Sequence, residues 1–208
     1  FLAVSTTDLI QSIVMSIALV IIIFFGVGQA GGWGAVMENA RALPGYLNLT
    51  QGYDPASGEA GTYGFLSIVS TLAWGLGYFG MPHILLRFMA IEDEEKLKVS
   101  RRIASVWVVI SMFVAILIGI VGYSVSVAGK IPFLTTSADS ETIVIVLSNL
   151  MSGSGFLLAL VAGVILAGIL AATMSTADSQ LLTAASSVSQ NLLEEFMGVK
   201  MSKKTSML

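Results

Sequence analysis

The sequence has little charge and no cysteine. Asp, Glu, Lys and Arg make up 11% of its 208 residues, whereas a soluble domain carries about 25%. So few charged side chains do not cover the surface of a water-soluble protein of this size, and 55% of the residues are hydrophobic. The composition therefore indicates a membrane protein, and it disfavours a disordered chain, which needs high charge and few apolar residues.

Other absences exclude or disfavour particular kinds of functional site. Without cysteine there is no disulfide, zinc ribbon or thiol catalysis, and the single histidine, His83, leaves little for a histidine-based metal site. A net charge of −3 without a basic stripe disfavours nucleic-acid binding. The sequence shows no nucleophile–base pair, which disfavours an enzyme. Because the chain begins at Phe1 without a signal-peptide pattern, we expect a piece of a longer polypeptide.

Four stretches are apolar and long enough to cross a bilayer, whose hydrocarbon core of about 30 Å needs about 20 helical residues. They cover about residues 9–27, 64–90, 103–127 and 156–194. We therefore predict a single all-α, multi-pass segment of a cell membrane protein with four transmembrane helices. Between the first two helices we expect a long, partly structured loop with a short interfacial helix near residues 36–43. The apolar run 143–147 is too short to span, and we expect it to lie flat or to pack on the bundle.

The positions of Lys and Arg orient the helices, since cytoplasmic loops carry the excess of both. The second connection holds Lys96, Lys98, Arg101 and Arg102, and the C-terminal tail holds Lys200, Lys203 and Lys204. The first and third connections hold only Arg41 and Lys130. The second connection and the tail are therefore predicted to be cytoplasmic, and the first helix to begin on that side.

The second apolar stretch contains three glycines and a proline in mid-membrane, in the sequence Trp74-Gly-Leu-Gly-Tyr-Phe-Gly-Met-Pro-His83. Proline removes a backbone donor, and broken backbone is tolerated in lipid only where protein or a water-filled cavity covers it. Such discontinuous helices build binding sites in secondary transporters. Trp74, Tyr78 and Pro82 are spaced by four and suit an amphipathic organic solute. An ordinary proline kink with packed aromatics is the alternative.

The fourth stretch places Ala172, Ser175, Thr176 and Ser179 within about 100° of one helix face. A backbone carbonyl and hydroxyls are hard oxygen ligands, which suit a small cation such as Na⁺. Two alternatives stay open. Gly168 extends the same stripe, so the face could serve close helix packing. The hydroxyls could also bond back to carbonyls one turn earlier.

Asp8 and Asp178 are the acids nearest to the membrane, and a membrane carboxylate is a candidate functional group. Asp8 also fits an acid at a helix N-terminus, and Asp178 also fits the headgroup level. Arg87, at the end of the second helix, also fits an anchor whose head reaches the interface.

These motifs resemble the sodium/solute symporter family, and most closely its sodium/proline symporters. The resemblance rests on Trp74-Gly-Leu-Gly-Tyr-Phe-Gly-x-Pro82-His83 with Arg87-Phe-Met-Ala90, on Leu170-Ala-Ala-Thr-Met-Ser-Thr176 with Gln180-Leu-Leu, and on Phe1-Leu-Ala-Val-Ser5 with Thr7-Asp8. It implies a LeuT-like bundle of five helices and an inverted repeat of five. This chain would hold the last helix of the first repeat and the first three of the second. The remainder of the same polypeptide would complete both sites.

The resemblance also implies roles for single residues and for the whole protein. The first Na⁺ would be bound by Ala172, Ser175 and Thr176, and a second Na⁺ by Asp8, Ser175, Asp178 and Ser179. The solute would contact Trp74, Tyr78 and Pro82. Arg87 would take part in coupling Na⁺ binding to transport. The expected function is Na⁺-coupled symport of a small organic solute across the lipid bilayer, with L-proline as the first candidate. The alternative is a solute-sensing membrane module of a symporter-like sensor kinase.

Overall fold

The computed structural model describes residues 2–54, 57–89, 91 and 93–198. The helices are α1 (Leu2–Gln29), α2 (Trp33–Ala42), α3 (Phe65–Gly77), α4 (Pro82–Met89), α5 (Glu94–Val127), α6 (Ser137–Glu141), α7 (Ile143–Ser152) and α8 (Phe156–Ser186). A π-helical segment, Ser187–Phe196, continues α8, and the strands β1 (Gln51–Asp54) and β2 (Glu59–Thr62) form one hairpin.

Among the residues that the structure describes, three helices are long and apolar enough to cross a membrane, at Thr6–Gln29, Glu94–Val127 and Phe156–Leu193. The side chains on their outer faces, such as Phe24 (74% exposed) and Phe113 (61% exposed), are apolar. Such faces would be costly in water but are suited to lipid. The expectation of a multi-pass membrane segment is therefore confirmed.

The second predicted helix is divided into α3, a 3₁₀ turn at Tyr78–Gly80, and α4. Pro82 is the first residue of α4, a position where its missing N–H costs no helical hydrogen bond. With 13 and 8 residues, neither α3 nor α4 reaches the length of a span. The glycine-rich stretch thus separates two short helices.

α5 begins within the charged connection rather than near residue 103. The Asp93 carboxylate accepts the Glu95 backbone N–H at 3.0 Å, which caps the helix. Lys98 then pairs with Glu95 at 3.1 Å. The first turns of α5 are therefore charged, and they project from the membrane into water, where charged side chains are hydrated.

The loop between α1 and α3 contains the exception to an all-α fold. β1 and β2 pair antiparallel, with Gln51 opposite Thr62 and Asp54 opposite Glu59. The strands have four residues each and are mostly exposed, so no alternation of apolar and polar residues marks them in the sequence. The short helix expected near residues 36–43 is present as α2.

The core lies where α1, α5, α7 and α8 meet. Its fully buried side chains include Ile22, Val121, Val125, Leu147 and Met151. α7 packs against α8, α5 and α1, which confirms that the short apolar run packs on the bundle. α2 is held to α5 by the buried Ser124 hydroxyl, which donates to the Val36 carbonyl at 3.4 Å.

Glycine allows α1 and α5 to approach closely. A Cβ added at Gly26 would lie 2.5 Å from Cγ1 of Val121, well inside van der Waals contact. At the α1–α8 contact, a Cβ at Gly168 would lie 3.8 Å from the Met15 side chain. Gly168 of the small-residue stripe on α8 thus faces α1, at a distance that would also accommodate a larger residue.

Candidate functional site

α1 and α8 run antiparallel, and their polar residues meet in a cleft. The Ser175 hydroxyl donates to the Asp8 carboxylate across the two helices. The cleft has a volume of about 210 Å³ and is lined by Thr7, Asp8, Gln11, Ala171, Met174, Ser175 and Asp178. The structure thus brings together three of the four residues expected at the second Na⁺ site, although Asp8 lies far from Ser175 and Asp178 in the sequence.

The hydrogen bonds in the cleft leave Ser175 able to bind a cation. Its hydroxyl uses its only hydrogen toward Asp8 and keeps oxygen lone pairs for other partners. One turn further on, the Ser179 hydroxyl donates to the Ser175 carbonyl at 3.0 Å. Asp8, Ser175 and Asp178, whose side chains all carry oxygen atoms, thus line the same small volume.

The cleft lies near one end of the bundle. With a rise of about 1.5 Å per residue, the helix from Asp8 to Gln29 is about 30 Å long, and so is the helix from Phe156 to Ser175. This length equals the hydrocarbon thickness of a bilayer. If Gln29 and Phe156 lie at the outer boundary, as the Lys and Arg distribution predicts, the cleft lies at the cytoplasmic boundary.

The residues expected to form the first Na⁺ site are arranged differently. The Thr176 hydroxyl is exposed and donates to the Ala172 carbonyl at 3.2 Å, which is the back-bonding alternative. Neither residue lines the cleft; of this set, only Ser175 does. Within the described ranges no three His, Cys, Asp or Glu side chains gather as a metal site. The oxygen atoms available here are thus hydroxyls, carbonyls and at most two carboxylates, a set suited to a monovalent cation.

A second concave surface lies at the break between α3 and α4. It has a volume of about 320 Å³ and is lined by Ser70, Ala73, Trp74, Gly77, Tyr78 and Met81. Trp74 is 75% exposed and Tyr78 52% exposed, and α3 contains no buried residue. The two aromatic rings are therefore not part of the core that the described residues form.

The remaining predicted residues lie apart from this surface. Pro82 does not line it and instead begins α4. The side chains of Arg87 and His83 lie outside the described part of the structure. α4 itself packs against α8, so the broken segment and the helix that carries Ser175 are in direct contact.

Sequence reasoning missed a larger cavity at the opposite end of the bundle. It has a volume of about 440 Å³, and its lining includes Tyr46, Tyr53, Tyr123 and Phe133. Burial raises the pKa of Tyr46 above the usual 10.0, and the neighbouring Tyr123 adds to this shift. These rings come from four separate segments without a common spacing, so the sequence pattern contained no signal for them.

Comparison with known proteins points to one family. The model of the sodium:solute symporter family matches residues 1–208. Proteins named sodium/proline symporter from Staphylococcus aureus strains USA300 and Newman are 36% identical to this chain over 203 residues. The match covers 98% of this chain and 36% of each relative, so the chain spans about a third of their length. No solved structure matches the chain.

Proposed function

Because the chain belongs to the sodium:solute symporter family, we propose that it forms part of a transporter that couples uptake of a small organic solute to the inward movement of Na⁺. The observation that carries this proposal is the cleft in which Asp8 meets Ser175 between α1 and α8. Transport follows alternating access, in which Na⁺ favours the state that binds solute from outside. The relatives are named as symporters, which favours transport over solute sensing.

Ser175 belongs to both proposed Na⁺ sites. At the first site, its hydroxyl acts with the Ala172 carbonyl and the Thr176 hydroxyl. Thr176 now donates to that carbonyl, so it keeps lone pairs for the ion, and rotation of its hydroxyl frees the carbonyl. The rest of the polypeptide supplies the remaining ligands of this site.

A second Na⁺ site occupies the cleft itself. Asp8, Asp178 and Ser175 line it, and Ser179 lies one turn beyond. Two carboxylates attract a cation strongly at the boundary of the membrane, and one Na⁺ offsets part of their mutual repulsion. Sharing of Ser175 would couple the two ions, because a movement of its hydroxyl changes both coordination shells.

The solute binds beside the broken helix. Trp74 and Tyr78 offer ring faces that attract an ammonium group, and the backbone between α3 and α4 offers carbonyls outside regular helix bonding. L-proline fits this chemistry, since its ring packs on an aromatic face while its ammonium seeks carbonyl oxygens. Proline is also the solute in the names of the relatives. Contact between α4 and α8 would transmit solute binding to the Na⁺ sites, and Arg87 is the proposed coupling residue in α4.

The Na⁺ gradient supplies enough free energy to drive accumulation of the solute. A tenfold gradient gives about 1.4 kcal/mol, and a membrane potential of about 100 mV adds about 2.3 kcal/mol per charge. Together they sustain roughly 500-fold accumulation of a neutral solute per Na⁺.

The test is uptake of radiolabelled L-proline by the full-length protein in proteoliposomes, with and without an inward Na⁺ gradient. We expect uptake only with Na⁺. Tyr78→Ala should weaken proline affinity about tenfold or more through loss of the ring contact, with little change in Na⁺ affinity. Tyr63→Ala serves as the matched control, because Tyr63 lies outside this surface and bonds Thr71 at 3.0 Å. Uptake independent of Na⁺ would contradict the function, and equal losses of both affinities would contradict the solute site.

A further inference from the structure

The cavity at the end of the bundle opposite the cleft, the aromatic cavity, is large enough for a small organic molecule. Its volume of about 440 Å³ is within the usual range for ligand pockets of about 300–1,000 Å³. Its walls are the outward end of α5, the segment after α2, β1, and the segment leading into α6. The Lys and Arg distribution predicts that this end faces outward, so the cavity is separate from the proposed Na⁺ and proline sites.

Aromatic rings form its wall. The ring centroid of Tyr123 lies 6.3 Å from that of Tyr46 and 6.3 Å from that of Phe133, with interplanar angles of 44° and 59°. Tyr53 of β1 contributes a fourth ring. The face of an aromatic ring carries negative potential and attracts cations, and several tilted rings around one volume are typical of sites for alkylated ammonium groups.

The charges in and around the cavity favour a cation. Its described lining contains no charged residue, so an anionic group would find no basic side chain there to offset its lost hydration. The connections predicted to face outward, 30–64 and 128–155, carry more acids than bases: Glu38, Asp54, Glu59, Asp139 and Glu141 against Arg41 and Lys130. This excess attracts cations to the mouth of the cavity.

The hydroxyl groups point to the same class of ligand. The Ser126 hydroxyl lies 3.2 Å from the carbonyl oxygens of both Gly122 and Pro132, which share its single hydrogen, and Ser140 donates to the Thr136 carbonyl at 3.0 Å. Their hydrogens are engaged, so these hydroxyls offer lone pairs rather than donors to a ligand. Lone pairs stabilise a cation and not an anion. A quaternary ammonium group has no N–H donors to satisfy and fits a wall made mainly of rings.

We propose that the aromatic cavity is a binding site for a small quaternary ammonium solute reached from the outer face of the membrane. The rings of Tyr46, Tyr123 and Phe133 bind the methylated ammonium group, and the acidic surroundings attract it. The site does not depend on the proposed transport of proline.

Gly119 provides a way to fill this site without disturbing the fold. It lines the aromatic cavity, and a Cβ added there meets no atom within 4 Å. Gly122 also lines the cavity, but a Cβ there would lie 2.5 Å from Cδ1 of Ile143. Gly119→Leu is therefore the blocking variant, whereas substitution of Gly122 would disturb packing between α5 and α7.

The experiment measures binding of choline and of its uncharged isostere 3,3-dimethylbutan-1-ol to the full-length protein in nanodiscs by isothermal titration calorimetry. Choline should bind at least about tenfold more tightly than the isostere, since the two differ in charge and hardly in shape. Tyr123→Leu should weaken choline binding about tenfold, Tyr123→Phe should retain it, and Gly119→Leu should abolish it. Tyr63→Leu, at a tyrosine outside the cavity, should leave it unchanged.

Two outcomes overturn the proposal. Equal binding of choline and the isostere means an apolar pocket without cation selectivity, and absence of choline binding means that the aromatic cavity is not such a site. Folding of each variant is checked by its melting temperature. If Tyr123→Leu fails to fold, Phe133→Leu replaces it, because Phe133 is 58% exposed and its loss should cost little stability.

Discussion

The pair formed by Asp8 and Ser175 gives the sharpest test of the Na⁺ sites. Ser175→Ala removes a hydroxyl that donates to a carboxylate, a bond worth about 1.5–3 kcal/mol. If the same hydroxyl binds Na⁺, its loss should raise the Na⁺ concentration for half-maximal proline uptake about tenfold, which corresponds to about 1.4 kcal/mol. Asp8→Asn keeps the size of the side chain and an oxygen that accepts from Ser175, but it removes the charge.

The size of the Asp8→Asn effect separates two roles for the carboxylate. A carboxylate 4 Å from Na⁺ interacts with it by about 4 kcal/mol at an effective dielectric constant of about 20. Direct binding of the ion by Asp8 therefore predicts a loss far beyond tenfold. If Asp8 only orients the Ser175 hydroxyl, the loss should be no greater than that of Ser175→Ala. If Asp8 only orients Ser175, the double variant should be no worse than Ser175→Ala. If both residues bind the ion, the double variant should be worse than either single variant but less than additive, because the two residues are in contact.

The assay is Na⁺-dependent proline uptake in proteoliposomes across a range of Na⁺ concentrations. Thr173→Ala is the matched control, because Thr173 lies on the same helix and its hydroxyl donates to the Ile169 carbonyl at 3.0 Å, away from the cleft. Its Na⁺ dependence should be that of the wild type. Unchanged Na⁺ dependence in both Asp8→Asn and Ser175→Ala, or strictly additive losses in the double variant, would refute the reasoning.

Three further predictions concern separate parts of the bundle. Thr176→Ala should raise the Na⁺ needed for uptake while Thr176→Ser preserves it, and equal behaviour of the two variants would exclude the hydroxyl as a ligand. Gly26→Leu should lower the melting temperature of the full-length protein through a clash with Val121 worth about 1–3 kcal/mol, whereas Gly28→Leu should not, since nothing lies within 4 Å of a Cβ there. Because the folded protein holds the proton of Tyr46 more tightly than the unfolded chain, the free energy of unfolding should fall as the pH rises above about 10. Ultraviolet titration should show a late ionisation that Tyr46→Phe removes.

Much of the fold could be predicted from composition and patterning because lipid imposes strict rules on a chain. A span needs about 20 apolar residues in a helix, so α1, α5 and α8 are visible as apolar blocks. Proline and glycine have local effects that do not depend on neighbours, so the break before Pro82 was also predictable. The hairpin of β1 and β2 was not predicted because its strands are short and exposed. The early start of α5 was not predicted either, because the connection is polar in composition, although Asp93 caps a helix there.

The sequence by itself determined that this chain is a membrane segment, where its apolar helices lie, and which polar residues stand near lipid. Local patterns in the sequence were sufficient to locate the spans, because each residue that faces hydrocarbon must be apolar whatever its neighbours are. Only the tertiary structure decided that Asp8 meets Ser175, that Thr176 bonds back to its own helix, and that Tyr46, Tyr123 and Phe133 surround one cavity. The contact between Asp8 and Ser175 and the grouping of the rings depend on how separate segments of the chain pack. Packing follows from close contacts such as that of Gly26 with Val121, which join residues distant in the sequence and leave no periodic signal there. The Thr176 bond is local to α8, and the structure decided only between alternatives that the sequence already offered.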